Sequence, residues 1–273
     1  MKNWLWEISV FVSRWRNRLH YLSAAPRLYK NWWARPLPKL GIGIVLELRN
    51  GLRYLVRPGT TDLAVLNEAV LRNSYLSAGY VKLQEDAVVV DVGANIGDFT
   101  IQVAALCPRG RIYAIEPISH NARMIQLNSL LNGMSNITVL TVALGCGEGD
   151  IAIHLAGSQS SGHFFSDRRP KETVRQITLQ RLMRECSIER IDLLKLDCEG
   201  AEWDILPSCG ELFPRIDQIC MEFHPREDWT GARLAAWLRD FGYQVRHTQG
   251  GWNGLLWATR RIDYPLSQIH AHI

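Results

Sequence analysis

The sequence predicts an α/β chain built on a doubly wound, mainly parallel sheet, preceded by a helical extension. Three observations predict it. The β-branched run Val88–Val90 ends at Asp91, breaks into Gly93-Ala94-Asn95-Ile96-Gly97, and resumes as a helical pattern from Asp98 to Leu106. Strand-like and helix-like segments then alternate as far as Thr259, the signature of βαβ units. Composition also changes along the chain, because residues 1–40 hold eight Lys/Arg against the single acid Glu7, and five of the ten tryptophans.

In chain order, residues 1–59 read as a basic, Trp-rich helical lead-in, 60–262 as the main domain and 263–273 as a tail. Leu5, Ile8, Phe11, Val12, Trp15 and Leu19 recur at roughly helical spacing, so the lead-in is amphipathic. Residues 1–35 therefore suit packing on the core, or a peripheral membrane contact with rings at the headgroup level and cations toward anionic lipid. Glu7, Arg14, Arg16 and Arg18 interrupt any apolar run of spanning length, and no cleaved signal peptide is expected.

Past the glycine turn, strands are expected at Arg111–Ile115, Ile137–Ala143, Ile151–Leu155, Thr173–Ile177, Ile191–Leu196 and Gln218–Phe223. Helices are expected around Asn121–Leu131, up to Glu185, at Ala201–Leu206 and at Gly231–Phe241. Gly157–Pro170 reads as a polar loop, and Tyr243–Thr248 with Leu255–Thr259 as a hairpin-like ending. Apolar residues make up 47% of the chain and charged ones 21%, as in an ordinary soluble domain. The six cysteines form no C-x-x-C pair and no His stands at ligand spacing, which points to a reducing cytoplasm rather than disulfides or zinc. The net charge of +4 sits in the lead-in, so nucleic acid is not an expected partner.

The turn at 93–97 lets backbone approach a ligand closely, and Glu116 closes the next strand where a carboxylate accepts hydrogen bonds from both hydroxyls of a ribose. A pyrophosphate is disfavoured: Asn95 stands where a dinucleotide fold wants glycine, no cations follow, and Asp91 lies beside the pocket. A carboxylate there suits an ammonium group, so the cofactor read from these residues is S-adenosylmethionine. Its expected contacts are Asp91, Gly93, Ala94, Asn95, Gly97, Glu116 and Pro117, with Ala143 near the adenine through backbone groups. The plainer alternative, a glycine turn that only packs helix on strand, leaves Asp91 and Glu116 without a reason.

The segments Val-Val-Asp-Val-Gly-Ala-Asn-Ile-Gly (89–97), Ile-Glu-Pro (115–117), Val-Ala-Leu-Gly (142–145), Leu-Leu-Lys-Leu-Asp-Cys-Glu-Gly-Ala-Glu (193–202) and Glu-Phe-His-Pro (222–225) resemble the FkbM family of S-adenosylmethionine-dependent methyltransferases. Thr61-Asp62, Glu68 and Tyr75 look like that family's lead-in helix. The likeness runs from about Thr60 to Arg260. It implies a seven-stranded, Rossmann-like class I methyltransferase sheet with its last strand antiparallel. It also implies methyl transfer, usually to a hydroxyl of a sugar or secondary metabolite.

In such a sheet ligands sit beyond the carboxyl ends of the strands, where Asp91–Gly97, Glu116, Asp197–Gly200 and Glu222 with His224 converge. O-methylation needs a group that takes the hydroxyl proton, and His224, Glu222 and Asp197 are the catalytic candidates. His224 stands out because an unperturbed imidazole titrates near neutrality. Asp197 could also contact the cofactor. Glu199, Ser160, Ser161 and His163 are expected at the acceptor, a small molecule or glycan. Asp197, Glu199 and Glu222 could hold Mg²⁺, but no spacing demands it and no metal is expected. The rival reading is a non-catalytic, cofactor-binding or membrane-associated partner protein with the same fold, and a hydride-transferring enzyme comes third.

Overall fold

The computed structural model describes residues 25–34, 41–72, 75–76, 79–155, 162–163, 171–224, 230–248 and 254–260. The amphipathic pattern of residues 5–19 and the tail at 263–273 lie outside the described residues.

Alternating apolar residues on either side of Asn50-Gly51 build an antiparallel hairpin, β1 (Ile44–Glu47) with β2 (Arg53–Val56). The lead-in, expected as a helical segment, thus carries a strand pair within its described residues. Asp62 then opens helix α1 (Asp62–Arg72). The βαβ succession follows: β3 (Val88–Val92), α2 (Asp98–Leu106), β4 (Arg111–Ile115), α3 (Ser119–Leu131) and β5 (Ile137–Leu140). After β5 the chain leaves the main sheet. Ala143–Leu144 (β6), Gly149–Leu155 (β7), Gly162–His163 (β8) and Lys171–Ile177 (β9) form a second sheet ordered β6-β9-β7-β8. The strand expected at 137–143 is thus two strands in two sheets. Ala143 pairs with Gln176 of β9 and not with β4, which sets it at the edge of the cleft.

The chain returns through α4 (Leu179–Glu185) to β10 (Leu193–Leu196), then α5 (Glu202–Ser208), β11 (Gln218–Phe223), α6 (Gly231–Asp240), β12 (Gln244–His247) and β13 (Gly254–Thr259). Thr178 and Thr230 cap α4 and α6 by accepting the N–H of Arg181 and Arg233. The main sheet has seven strands in the order β12-β13-β11-β10-β3-β4-β5. The pairs from β11 to β5 are parallel, and β13, the last strand, runs antiparallel to both its neighbours.

Strand alternation explains why helices cover both faces. Val90, Val92, Leu194, Leu196, Ile219 and Met221 pack with Leu182, Ile205 and Leu238 of α4, α5 and α6. The intervening Val89, Leu193 and Cys220 pack with Phe99 and Val103 of α2. The hairpin belongs to this core too. Tyr54, Val56 and Tyr29 share a buried cluster with Leu66, Ile96, Ile101 and Met124, and the Tyr29 hydroxyl donates to Asn67 Oδ1 at 2.7 Å. Packing therefore runs across position 60. Among the described residues no helix is long and apolar enough to cross a membrane.

Candidate active site

The turn after β3 is shaped by what presses on it. Gly93 has φ +75°, and a Cβ there would lie 1.8 Å from the Asp197 carbonyl oxygen, so only glycine lets β3 and β10 end side by side. The amides of Gly93 and Ala94 both donate to the Ile115 carbonyl, at 3.0 and 3.1 Å. They are spent inside the fold and form no phosphate cradle. Ala94 is buried against Ala114 and Ile125, and Gly97 (φ +84°) packs on Ile125, so both serve packing. Asn95, at φ +51°, faces the cleft, and its Oδ1 is buried without a hydrogen-bond partner.

Glu116 ends β4 at the next strand mouth. Its Oε2 accepts the Asn95 N–H at 2.8 Å, and its Oε1 accepts the Ile118 N–H at 3.0 Å and Asn121 Nδ2 at 3.5 Å. Burial pushes its pKa up to about 7, with these donors pulling the other way. Around it Pro117, Ile118, Ala143, Leu144 and Ile153 make an apolar wall, joined by Val65 from α1.

The opposite end of the cleft is charged. Lys195 pairs with Asp91 across the β3–β10 register, Nζ lying 3.0 Å from Asp91 Oδ1 and 3.9 Å from Asp197 Oδ2. It also donates to the Gly93 carbonyl at 3.0 Å and lies 5.6 Å from the centre of the Tyr75 ring. Burial opposes the ammonium charge, but Asp91, Asp197 and Asp98 outweigh it and raise the pKa. Asp91 is fully buried, accepts the Thr100 hydroxyl at 2.6 Å and does not line the cleft. The carboxylate expected to meet an ammonium group is thus taken by Lys195, and the acids that line this end of the cleft are Asp98, Asp197 and Glu199. Tyr75 donates to Asp197 Oδ2 at 3.0 Å. Burial, then the neighbouring carboxylates, lift Asp98 to about 7 against the pull of Lys195.

His224 stands just past β11 between two acids. Its Nδ1 is 3.5 Å from Glu202 Oε1 and its Nε2 is 3.6 Å from Glu199 Oε2, both ion-pair distances without a well-aligned hydrogen bond. Glu202 is fully buried and accepts the N–H groups of Cys198 and Gly200 at 2.8 and 2.9 Å. Burial disfavours the imidazolium, yet Glu202 and then Glu199 prevail and raise the pKa to about 9. The two acids thus favour the imidazolium over the near-neutral imidazole expected for a base. Glu222 is half-buried on β11 opposite Leu255 and does not line the cleft. Ser160, Ser161 and the His163 side chain, expected at the acceptor, lie outside the described residues.

Seven strands in this order, with a charged mouth over β3 and β10, frame the comparison with known proteins. Residues 91–245, more than half of the chain, match the methyltransferase FkbM domain. The chain belongs to the FkbM methyltransferase family. It is similar to the AMB antimetabolite synthetase AmbE of Pseudomonas aeruginosa, at 28% identity over 73% of this chain and 11% of AmbE. It is also similar to the 2-O-methyltransferase NoeI of Sinorhizobium fredii, at 24% identity over 69% of this chain and 82% of NoeI. A solved FkbM methyltransferase from Methylobacillus flagellatus superposes with a TM-score of 0.51 at 17% identity, covering 67% of this chain and 46% of that one. The chain thus spans about a tenth of AmbE and under half of the solved FkbM protein. The structural likeness shows the fold, the Rossmann-like class I methyltransferase sheet.

Several residues that build this FkbM site carried no role in the sequence. Lys195 and Glu202 were visible only as members of a motif, and Tyr75 only as part of a lead-in helix. Asp98 was the first residue of a helix. Each acts across the sheet or back along a turn, and only strand register shows whom it meets.

Proposed function

We propose that this FkbM family member transfers a methyl group from S-adenosylmethionine to a hydroxyl of a saccharide or natural product. The observation that carries this reading is the two-ended cleft, with an apolar wall around a backbone-held Glu116 at one end and a carboxylate cluster at the other. The residues suit the cofactor's parts. Glu116 has acceptor capacity left for ribose hydroxyls, and Pro117, Ile118, Ala143 and Ile153 suit adenine. Asp98 and the unpartnered Asn95 Oδ1 suit the ammonium of the amino-acid end. When bound, S-adenosylmethionine supplies an electrophilic methyl on a sulfonium. NoeI, named as a 2-O-methyltransferase, supports a hydroxyl acceptor, and a relative named as the hexuronic acid methyltransferase AglP supports a sugar.

The chain's own part is to align the hydroxyl and take its proton. Asp197 is the proton acceptor in this reading: it lines the cleft, and Tyr75 fixes one of its oxygens. His224, as a cation, holds Glu199 and the 198–202 turn in place. Asp197→Asn is then expected to lower turnover at least about a hundredfold. The pH–rate profile should fall as the pH rises through about 9, where His224 loses its proton. A rate that climbs through 9 would make His224 the base instead. The reading itself is tested by incubating the full chain with methyl-labelled S-adenosylmethionine and a panel of saccharides and polyols. Label on a hydroxyl supports it, and cofactor binding without transfer to any acceptor moves the case to a non-catalytic protein. A membrane contact through residues 1–35 is part of the same proposal. It expects the full chain to co-sediment with anionic vesicles and a chain lacking those residues not to; equal sedimentation ends it.

A further inference from the structure

Behind Glu116 lies a polar chain, partly exposed at Arg57 and buried beyond it, that starts outside the matched family domain. Arg57 leaves β2 and grips Asp62, the first residue of α1. Its Nε and main-chain N–H donate to Asp62 Oδ2 at 2.8 and 2.9 Å, and its Nη2 meets Oδ1 at 2.8 Å. The same Nη2 donates to Asn121 Oδ1 at 2.8 Å, and Asn121 Nδ2 turns to Glu116 Oε1 at 3.5 Å. Asp62 and Asn121 are shut off from solvent. A carboxylate and an amide placed there cost desolvation that an apolar pair would avoid, so the arrangement asks for a use beyond packing.

The chain ends on a cleft residue. With Oδ1 engaged by Arg57, the Asn121 amide can present only its NH₂ to Glu116, so the guanidinium sets the amide's orientation. One turn along α1, Val65 independently lines the cleft beside the same apolar wall. The lead-in therefore touches the nucleoside end twice, once through side-chain packing and once through this relay.

We propose that Arg57, anchored by Asp62, is a positioning residue for the cofactor: it orients Asn121, which fixes the Glu116 carboxylate for the ribose. This rests on the reading of the cleft as an S-adenosylmethionine site. The β2–α1 segment then belongs to the binding site although the matched domain begins at Asp91.

The test measures S-adenosylhomocysteine affinity, turnover and melting temperature on the full chain in two variants. Arg57→Met with Asp62→Leu removes the ion pair together and leaves no lone charge. Asn121→Leu deletes the donor to Glu116 without adding a charge and leaves Arg57 paired with Asp62. Both are expected to weaken S-adenosylhomocysteine about tenfold, the size of one lost hydrogen bond, with kcat at saturating cofactor and the acceptor KM within about twofold. A general structural defect would move all three together. Should the double variant fail to fold, Asn121→Leu decides alone. Undiminished affinity in a folded variant overturns the relay while leaving the cleft assignment intact; absence of binding by the unaltered chain overturns both.

Discussion

The two ends of the cleft hold their carboxylates in different ways. At the nucleoside end Glu116 is held by neutral donors, two backbone N–H groups and an amide. At the other end Asp91 and Asp197 are gathered around the buried ammonium of Lys195. Neutral donors fix an acid's direction but offset little of its burial cost, so Glu116 stays near neutrality in pKa. A buried cation compensates charge directly, which makes that end a structural element as well as a binding one. One end is built for recognition, and the other ties the sheet's centre together.

Three changes would break or sharpen that contrast. The largest effect belongs to Lys195→Met, which strands Asp91 in the core. A loss of about 3–5 kcal/mol is expected, on the order of 10 °C in melting temperature. A melting curve within a degree or two of the unaltered protein would show that Lys195 does not tie the sheet. Glu116→Gln should do the reverse, moving the melting temperature little while weakening S-adenosylhomocysteine about ten- to hundredfold. The smallest and most diagnostic effect is pH dependence. Glu116 and Asp98 both titrate near 7, so lowering the pH from 8 to 6 protonates each and should weaken the cofactor about tenfold per group. Stability runs the other way. Both pKa values are raised above those of the unfolded chain, so these two groups favour the fold most at acid pH, and that contribution is lost as the pH rises through 7. Affinity that is flat between pH 6 and 8 would remove both acids from the site.

Much of the nucleoside end was legible in the sequence because it is local. Val88–Val92, the glycine turn and Glu116 follow one another in a single βαβ unit, and their spacing already implies a strand mouth. The charged end was legible only as a motif. Asp91 and Lys195 are far apart in the chain and meet through the β3–β10 register, so the sequence showed an acid beside a pocket where the fold has a buried ion pair. The acids around His224 were hidden for the same reason, since Glu202 reaches it only after the 198–200 turn brings that carboxylate back. The hairpin did carry a local signal, Ile44 and Leu46 answered by Tyr54 and Val56 around Asn50-Gly51. The basic, Trp-rich composition before it drew that stretch into a helical reading.

The most direct measurement is a calorimetric titration of the full chain with S-adenosylhomocysteine at pH 8, repeated on Glu116→Ala. One saturable site is expected in the unaltered protein. It should be weakened at least about tenfold in the variant, whose cooperative unfolding transition is retained. Absence of binding by the unaltered chain, or equal affinity in the folded variant, would contradict the assignment of this cleft.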